Sequence, residues 1–199
     1  MGALSAQQCC DWEGFDRHFS ALDKMTEEAI AQRRCPREQP VAGATFTDDP
    51  QRNKRLTHAW AQAAWNSVSS LHIGFSHRIQ LGQPRVRVGY FSSDFRLHPI
   101  SQQTLPLFGL HNRERFEVFV YSTGIDDGSP MRQRIVNDCD HFVDLRQSDT
   151  LSAAQKIFDD EIDVLVDFSG HTESSRMEIC ALQPAPVQVT MLSATGTNG

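Results

Sequence analysis

The chain has 199 residues, 39% of them hydrophobic and 22% charged, and a net charge of −6. That is an ordinary globular composition, large enough for one domain and an extension, and its acidic balance argues against non-specific binding to nucleic-acid phosphates. No apolar run reaches the ~18 residues of a membrane span, so neither nucleic acid nor membrane is expected as a partner.

The N-terminus lacks the basic start and apolar core of a signal peptide. Residues 12–33 carry Phe15, Phe19, Leu22, Met25 and Ile30, one apolar stripe on a helix. Residues 36–50 hold Pro36, Pro40, Gly43 and Pro50 and read as a loop. Residues 51–73, with Leu56, Trp60, Ala63, Ala64 and Val68, predict a second amphipathic helix. A linker at 79–84 separates this helical lead-in, 1–80, from a second domain at 84–199.

After Pro84 the pattern changes. Short runs rich in β-branched and aromatic residues at 85–91, 116–121, 142–145, 162–168 and 187–192 predict five strands. Helical stretches separate them: Ser101–Leu110 with Pro106 as a weak point, Met131–Cys139 with Pro130 at its start, Asp149–Asp160 with Thr150 or Ser152 as its cap, and Ser174–Leu182. The 162–168 run is almost continuously apolar, as in strands covered on both faces. The fold class that follows is α/β: a Rossmann-like parallel sheet preceded by two amphipathic helices.

The five cysteines are odd in number and form no CxxC pair, so neither a disulfide framework nor a zinc site is expected. A reducing, cytoplasmic setting follows. There is no GxGxxG after the first strand, no P-loop, no GxSxG and no HExxH, so no dinucleotide cofactor and no metal is expected.

In open parallel sheets ligands bind beyond the C-terminal strand ends. Three loops qualify: Ser92–Pro99, Ser169–Thr172 and Ser193–Gly199. Their hydroxyls suit a small polar ligand such as a sugar. His98, stiffened by Pro99, is the first candidate for proton transfer or hydrogen bonding to a ligand; capping the following helix is the plainer alternative. Asp94 either orients His98 or caps a turn, Asp167 ends a buried strand and needs a partner, and His171 is assigned to the turn. Arg96 and Arg176 are read as solvated surface, with phosphate contact as the alternative.

The segments RVRVGYFSSDFRLHPIS, RFEVFVYSTGIDDGSPMRQRI, HFVDL and IDVLVDFSGHT through QPAPVQV occur in this order from Arg85 onward. Together they resemble the catalytic region of the protein O-GlcNAc transferases, the SPINDLY-like, TPR-linked glycosyltransferases. The resemblance implies the N-terminal lobe of a two-lobed GT-B fold. It implies inverting transfer of N-acetylglucosamine from UDP-GlcNAc, as donor substrate, to Ser or Thr hydroxyls of acceptor proteins, without a metal. Carried over by motif, His98 matches the active-site histidine. Thr172, Leu192, Ser193, Gly196 and Thr197 match positions at the sugar.

The family pattern at the last loop is LGYPGTxG. Here Ser193 replaces its glycine and Ala194-Thr195 replace its Tyr-Pro, so a Cβ at 193 is expected to crowd the sugar. The second lobe, with the lysine that faces the leaving diphosphate, and the TPR repeats are not in these residues, so the chain is expected to be a fragment that is inactive by itself. The alternatives that stay open are a catalytically dead relative acting as a binding module and an unrelated Rossmann-like enzyme.

Overall fold

The computed structural model describes residues 2–77, 82–192 and 197–198. The chain divides into two compact units, Met1–Ser67 with Ala194–Gly199, and Val68–Ser193.

The first unit is helical. Among the described residues it holds α1 (Ala3–Gln8), α2 (Trp12–Ala31), α3 (Pro40–Phe46) and most of α4 (Pro50–Ser69). Four helices rather than two therefore precede the first strand. Asp11 caps α2 by accepting from the Gly14 N–H at 2.9 Å. The segment read as a loop contains α3 because its breakers sit where a helix accepts them. Pro40 is in the first turn, where no N–H is needed. Gly43 lies so close to α4 that a Cβ there would stand 2.6 Å from the Leu56 side chain. An ion-pair network is buried inside the unit: Arg52 donates to both Glu38 oxygens at 3.0 and 2.7 Å, and Thr26 donates to Glu38 at 2.6 Å.

The second unit is the predicted α/β layer structure. Among its described residues β1 (Val86–Ser92), β2 (Phe116–Ser122), β3 (His141–Asp144), β4 (Val164–Asp167) and β5 (Val187–Thr190) form one sheet in the order β3-β2-β1-β4-β5. Every neighbouring pair is parallel, with Phe91 opposite Asp167 across β1 and β4.

Alternate strand residues face opposite sides. Phe91, Tyr121 and Leu165 pack under α8 (Thr150–Asp159) and α9 (Met177–Ala181). Tyr90, Val118, Val120 and Val166 pack with Phe108 and Ile135 under α5 (Pro99–Thr104), α6 (Leu107–Leu110) and α7 (Pro130–Asp138). The single helix read at Ser101–Leu110 is two, parted at Leu105 and Pro106, because proline has no N–H to continue the ladder. Asp149, rather than Thr150 or Ser152, caps α8, accepting from the Ser152 N–H at 2.8 Å. No helix among the described residues is long and apolar enough to cross a membrane.

Candidate functional site

Chain direction puts the exits of β1, β4 and β5 at one sheet edge, and β1 lies beside β4 where the strand order reverses. Buried hydroxyls stitch the first two exits together. Ser92 Oγ and Ser169 Oγ are 3.0 Å apart, and the Ser93 N–H donates to Ser169 Oγ at 3.2 Å. The Asp167 carboxylate accepts from the Ser169 and Gly170 N–H groups, each at 2.9 Å, and so closes the turn that carries Thr172. Burial raises the Asp167 pKa above the usual carboxylate range, against the pull of those two N–H donors. The Met191 N–H donates to the Asp167 carbonyl at 2.9 Å and fixes the exit of β5.

His98 is the N-cap of α5, in extended backbone ahead of Pro99. Its Nδ1 accepts from the Ile100 N–H at 3.3 Å, so the capping role read from the sequence is present. In the neutral ring that bond leaves the proton on Nε2, which makes Nε2 a donor. The side chain is 32% exposed, and its Nδ1 stands 3.8 Å from Asp94 Oδ2. Asp94 is held in turn: its N–H donates to Ser92 Oγ at 3.0 Å and its carbonyl accepts from the Ser101 hydroxyl at 2.5 Å.

The loop that bears His98 is clamped from the side of β2. Gly124 passes so close beneath it that a Cβ would lie 1.8 Å from the Ser93 carbonyl oxygen, so any side chain there displaces backbone. Arg132, its side chain 5% exposed, donates to the Phe95 carbonyl at 3.1 Å and to Ser122 Oγ at 3.0 Å. It also pairs with Asp126 at 3.2 Å and Asp144 at 3.3 Å. The exits of β1, β2 and β3 thus meet on one guanidinium.

The Leu97 N–H donates to Asp127 Oδ2 at 2.8 Å. That bond is the main reason the Asp127 pKa falls from 3.8 to about 2. A carboxylate whose pKa falls on folding adds stability above its unfolded value and loses it as the pH falls through the folded value. The clamp is therefore at full strength above 3.8 and is released near a pH of about 2. Following the Leu97 amide by NMR across an acid titration is expected to give a midpoint about 2; a midpoint at the ordinary 3.8 would contradict the clamp.

Of the predicted site residues, the structure brings His98 and Thr172 onto two stitched loops. Thr172 Oγ1 is buried with no hydrogen-bond partner among the described residues, as are Ser93 Oγ and Thr123 Oγ1. Leu192 follows β5 at the same sheet edge with a left-handed φ of 60°, a conformation leucine rarely adopts. Ser193 and Gly196 lie outside the described residues, and Thr197 belongs to the helical unit. His171 is buried in its turn. Arg176, read as solvated surface, instead donates to the Leu145 carbonyl at 3.1 Å. Arg96 stands 3.6 Å from Asp94.

Sequence reasoning missed Arg132. The one available signal was its place in the DDGSPMR turn, just inside the Ser129 cap of α7. Among the described residues no three His, Cys, Asp or Glu side chains cluster closely enough to hold a metal ion.

A family model described as glycosyl transferase family 41 matches residues 9–199. A probable UDP-N-acetylglucosamine–peptide N-acetylglucosaminyltransferase of Arabidopsis thaliana, SEC, is 34% identical over 98% of this chain and 21% of its own length. The UDP-N-acetylglucosamine–peptide N-acetylglucosaminyltransferase of Caenorhabditis elegans is 33% identical over 97% of this chain and 17% of its own length. The chain thus spans about a fifth of the length of these curated relatives. Among solved structures, a mutant O-GlcNAc transferase of Thermobaculum terrenum shares the fold with a TM-score of 0.58 and 23% identity, over 86% of this chain and 35% of that one.

Proposed function

This chain belongs to glycosyl transferase family 41, and from that premise we propose that it supplies the histidine-bearing half of a site that moves N-acetylglucosamine from UDP-GlcNAc to a Ser or Thr hydroxyl of a protein. The observation that carries the reading is the stitching of the Thr172 loop to the loop that bears the partly exposed His98, at the exits of β4 and β1.

In the reaction the acceptor oxygen bonds to the anomeric carbon on the face opposite the diphosphate. The bond from that carbon to the UDP oxygen breaks, UDP leaves with the electron pair, and the proton of the acceptor hydroxyl is released to water. His98, with Nδ1 occupied by the Ile100 N–H, donates from Nε2 and orients an oxygen of the sugar or acceptor. Thr172, Leu192, Ser193, Gly196 and Thr197 are assigned to the sugar, and no metal takes part. In this reading residues 1–80 form the lead-in and 84–199 the lobe, in a cytoplasmic protein.

UDP-GlcNAc added to the purified chain is expected to shift the amide signals of residues 98 and 100 and of residues 170–172. An unchanged spectrum, or shifts only elsewhere, would overturn the assignment. In a protein that contains this chain and glycosylates a peptide, His98→Ala is expected to lower kcat/KM by about 10²-fold, the scale of a lost orienting contact, while far-UV circular dichroism stays unchanged. Unaltered kinetics would remove His98 from the reaction. The replacement of the family pattern by Ser193-Ala194-Thr195 favours a second reading, a catalytically dead binding module of the same family. Glycosylation of a peptide by a protein with this loop intact would sink it.

A further inference from the structure

Within the helical unit a groove of about 510 Å3 lies between the end of α2 and the middle of α4. That volume is within the roughly 300–1,000 Å3 range of ligand clefts. Its walls carry Arg33, Arg34, Arg55 and His58, its apolar floor includes Ile30 and Ala59, and no carboxylate is among its lining residues. In a chain with 25 acidic and 19 basic residues this is a local reversal of charge.

Helix electrostatics account for part of it only. Arginines just past the end of α2 are favoured by the negative end of its dipole. Arg55 and His58 come from the body of α4, where successive positions three and four apart share one face. Arg55 pairs with Glu27 at 2.7 Å, and that pair is exposed on both sides. The Arg34 side chain donates to the neutral Gln32 side chain at 3.0 Å. Arg33 has a φ of 53°, the left-handed position after a helix that glycine takes without strain. A residue with a Cβ costs about 1–2 kcal/mol there, so the backbone conformation by itself favours glycine at this position.

We infer that this groove docks an acidic peptide segment of a partner protein, its carboxylates meeting Arg33, Arg34 and Arg55 and one apolar side chain resting on Ile30 and Ala59. The charge reversal selects the acidic partner. The apolar floor selects a segment that has one hydrophobic residue among its carboxylates, rather than a bare anion.

The test is fluorescence anisotropy of the whole chain with a labelled peptide of glutamates interrupted by one leucine. Binding is expected at about 0.01 M salt and is expected to weaken steeply toward 1 M, as the screening length falls from about 30 Å to 3 Å. Arg33→Glu combined with Arg55→Glu, both at exposed positions, is expected to weaken it about tenfold or more, as for charges reversed across an interface. Circular dichroism of the variant is expected to match the parent. An all-glutamate peptide is expected to bind less well than the leucine-containing one. The inference is overturned if the acidic peptide does not bind at low salt, if a glutamine-for-glutamate peptide binds as well, if the double variant binds unchanged, or if a short RNA displaces the peptide at lower concentration.

Discussion

Glu38→Ala is expected to destabilise the helical unit by about 3–5 kcal/mol, the cost of leaving a buried charge without its partner. The Glu38 side chain is fully enclosed and that of Arg52 is 6% exposed, so water cannot replace the lost carboxylate. Burial by itself lowers the Arg52 pKa, but the bonds to Glu38 and Asp23 outweigh it and the net shift is upward. Without Glu38 the guanidinium keeps Asp23, at 2.6 Å, and the face of Phe19, with its carbon 5.0 Å from the ring centre. The Thr26 hydroxyl loses its acceptor as well.

Tryptophan fluorescence in urea is the measurement, because all three tryptophans, Trp12, Trp60 and Trp65, lie in this unit, and the Trp60 indole donates to the Glu38 carbonyl at 2.8 Å. The paired replacement Glu38→Leu with Arg52→Met is expected to recover most of the loss, since apolar residues of similar volume often replace a buried pair at little cost. A double variant no more stable than Glu38→Ala would show that the network does more than neutralise itself.

Arg132→Met is expected to cost the sheet unit about 2–4 kcal/mol, less than Glu38→Ala because the acids it releases can return to water. Asp126 and Asp144 are 60% and 42% exposed. The Phe95 carbonyl and Ser122 hydroxyl stay enclosed and lose their donor. Both tyrosines, Tyr90 and Tyr121, belong to this unit and all three tryptophans to the other, so the amide signals of β1 and β2 followed by NMR in urea report this unit separately. Arg132→Lys is expected to fall between parent and Met, because an ammonium carries the charge but not the planar fork. A cost below about 1 kcal/mol for Arg132→Met would mean that the three strand exits are held by other contacts.

How much was legible in advance depended on the range of each interaction. The strands were readable because each is a short apolar run between breakers, and the shared edge of the candidate loops was readable because parallel strands all leave from one side. The His98 cap was readable too: an N-cap acts within one turn, and Pro99 marks where that turn starts. The α3 helix was not, because Pro40 and Gly43 are tolerated only by their neighbours, the first by position in the turn and the second by the approach of Leu56.

By itself, then, the sequence determined the alternation of strand and helix, the His98 cap, and the ordered motifs that mark family 41, all products of local periodicity and residue chemistry. Only the tertiary structure decided which of those pieces touch. Ser92 meets Ser169 across 77 positions because β1 and β4 are neighbours in the sheet. Arg132 reaches Phe95 across 37 positions because the exits of β1 and β2 are parallel and adjacent. Strand order is settled by how both faces of the sheet are buried together, and no local pattern encodes it.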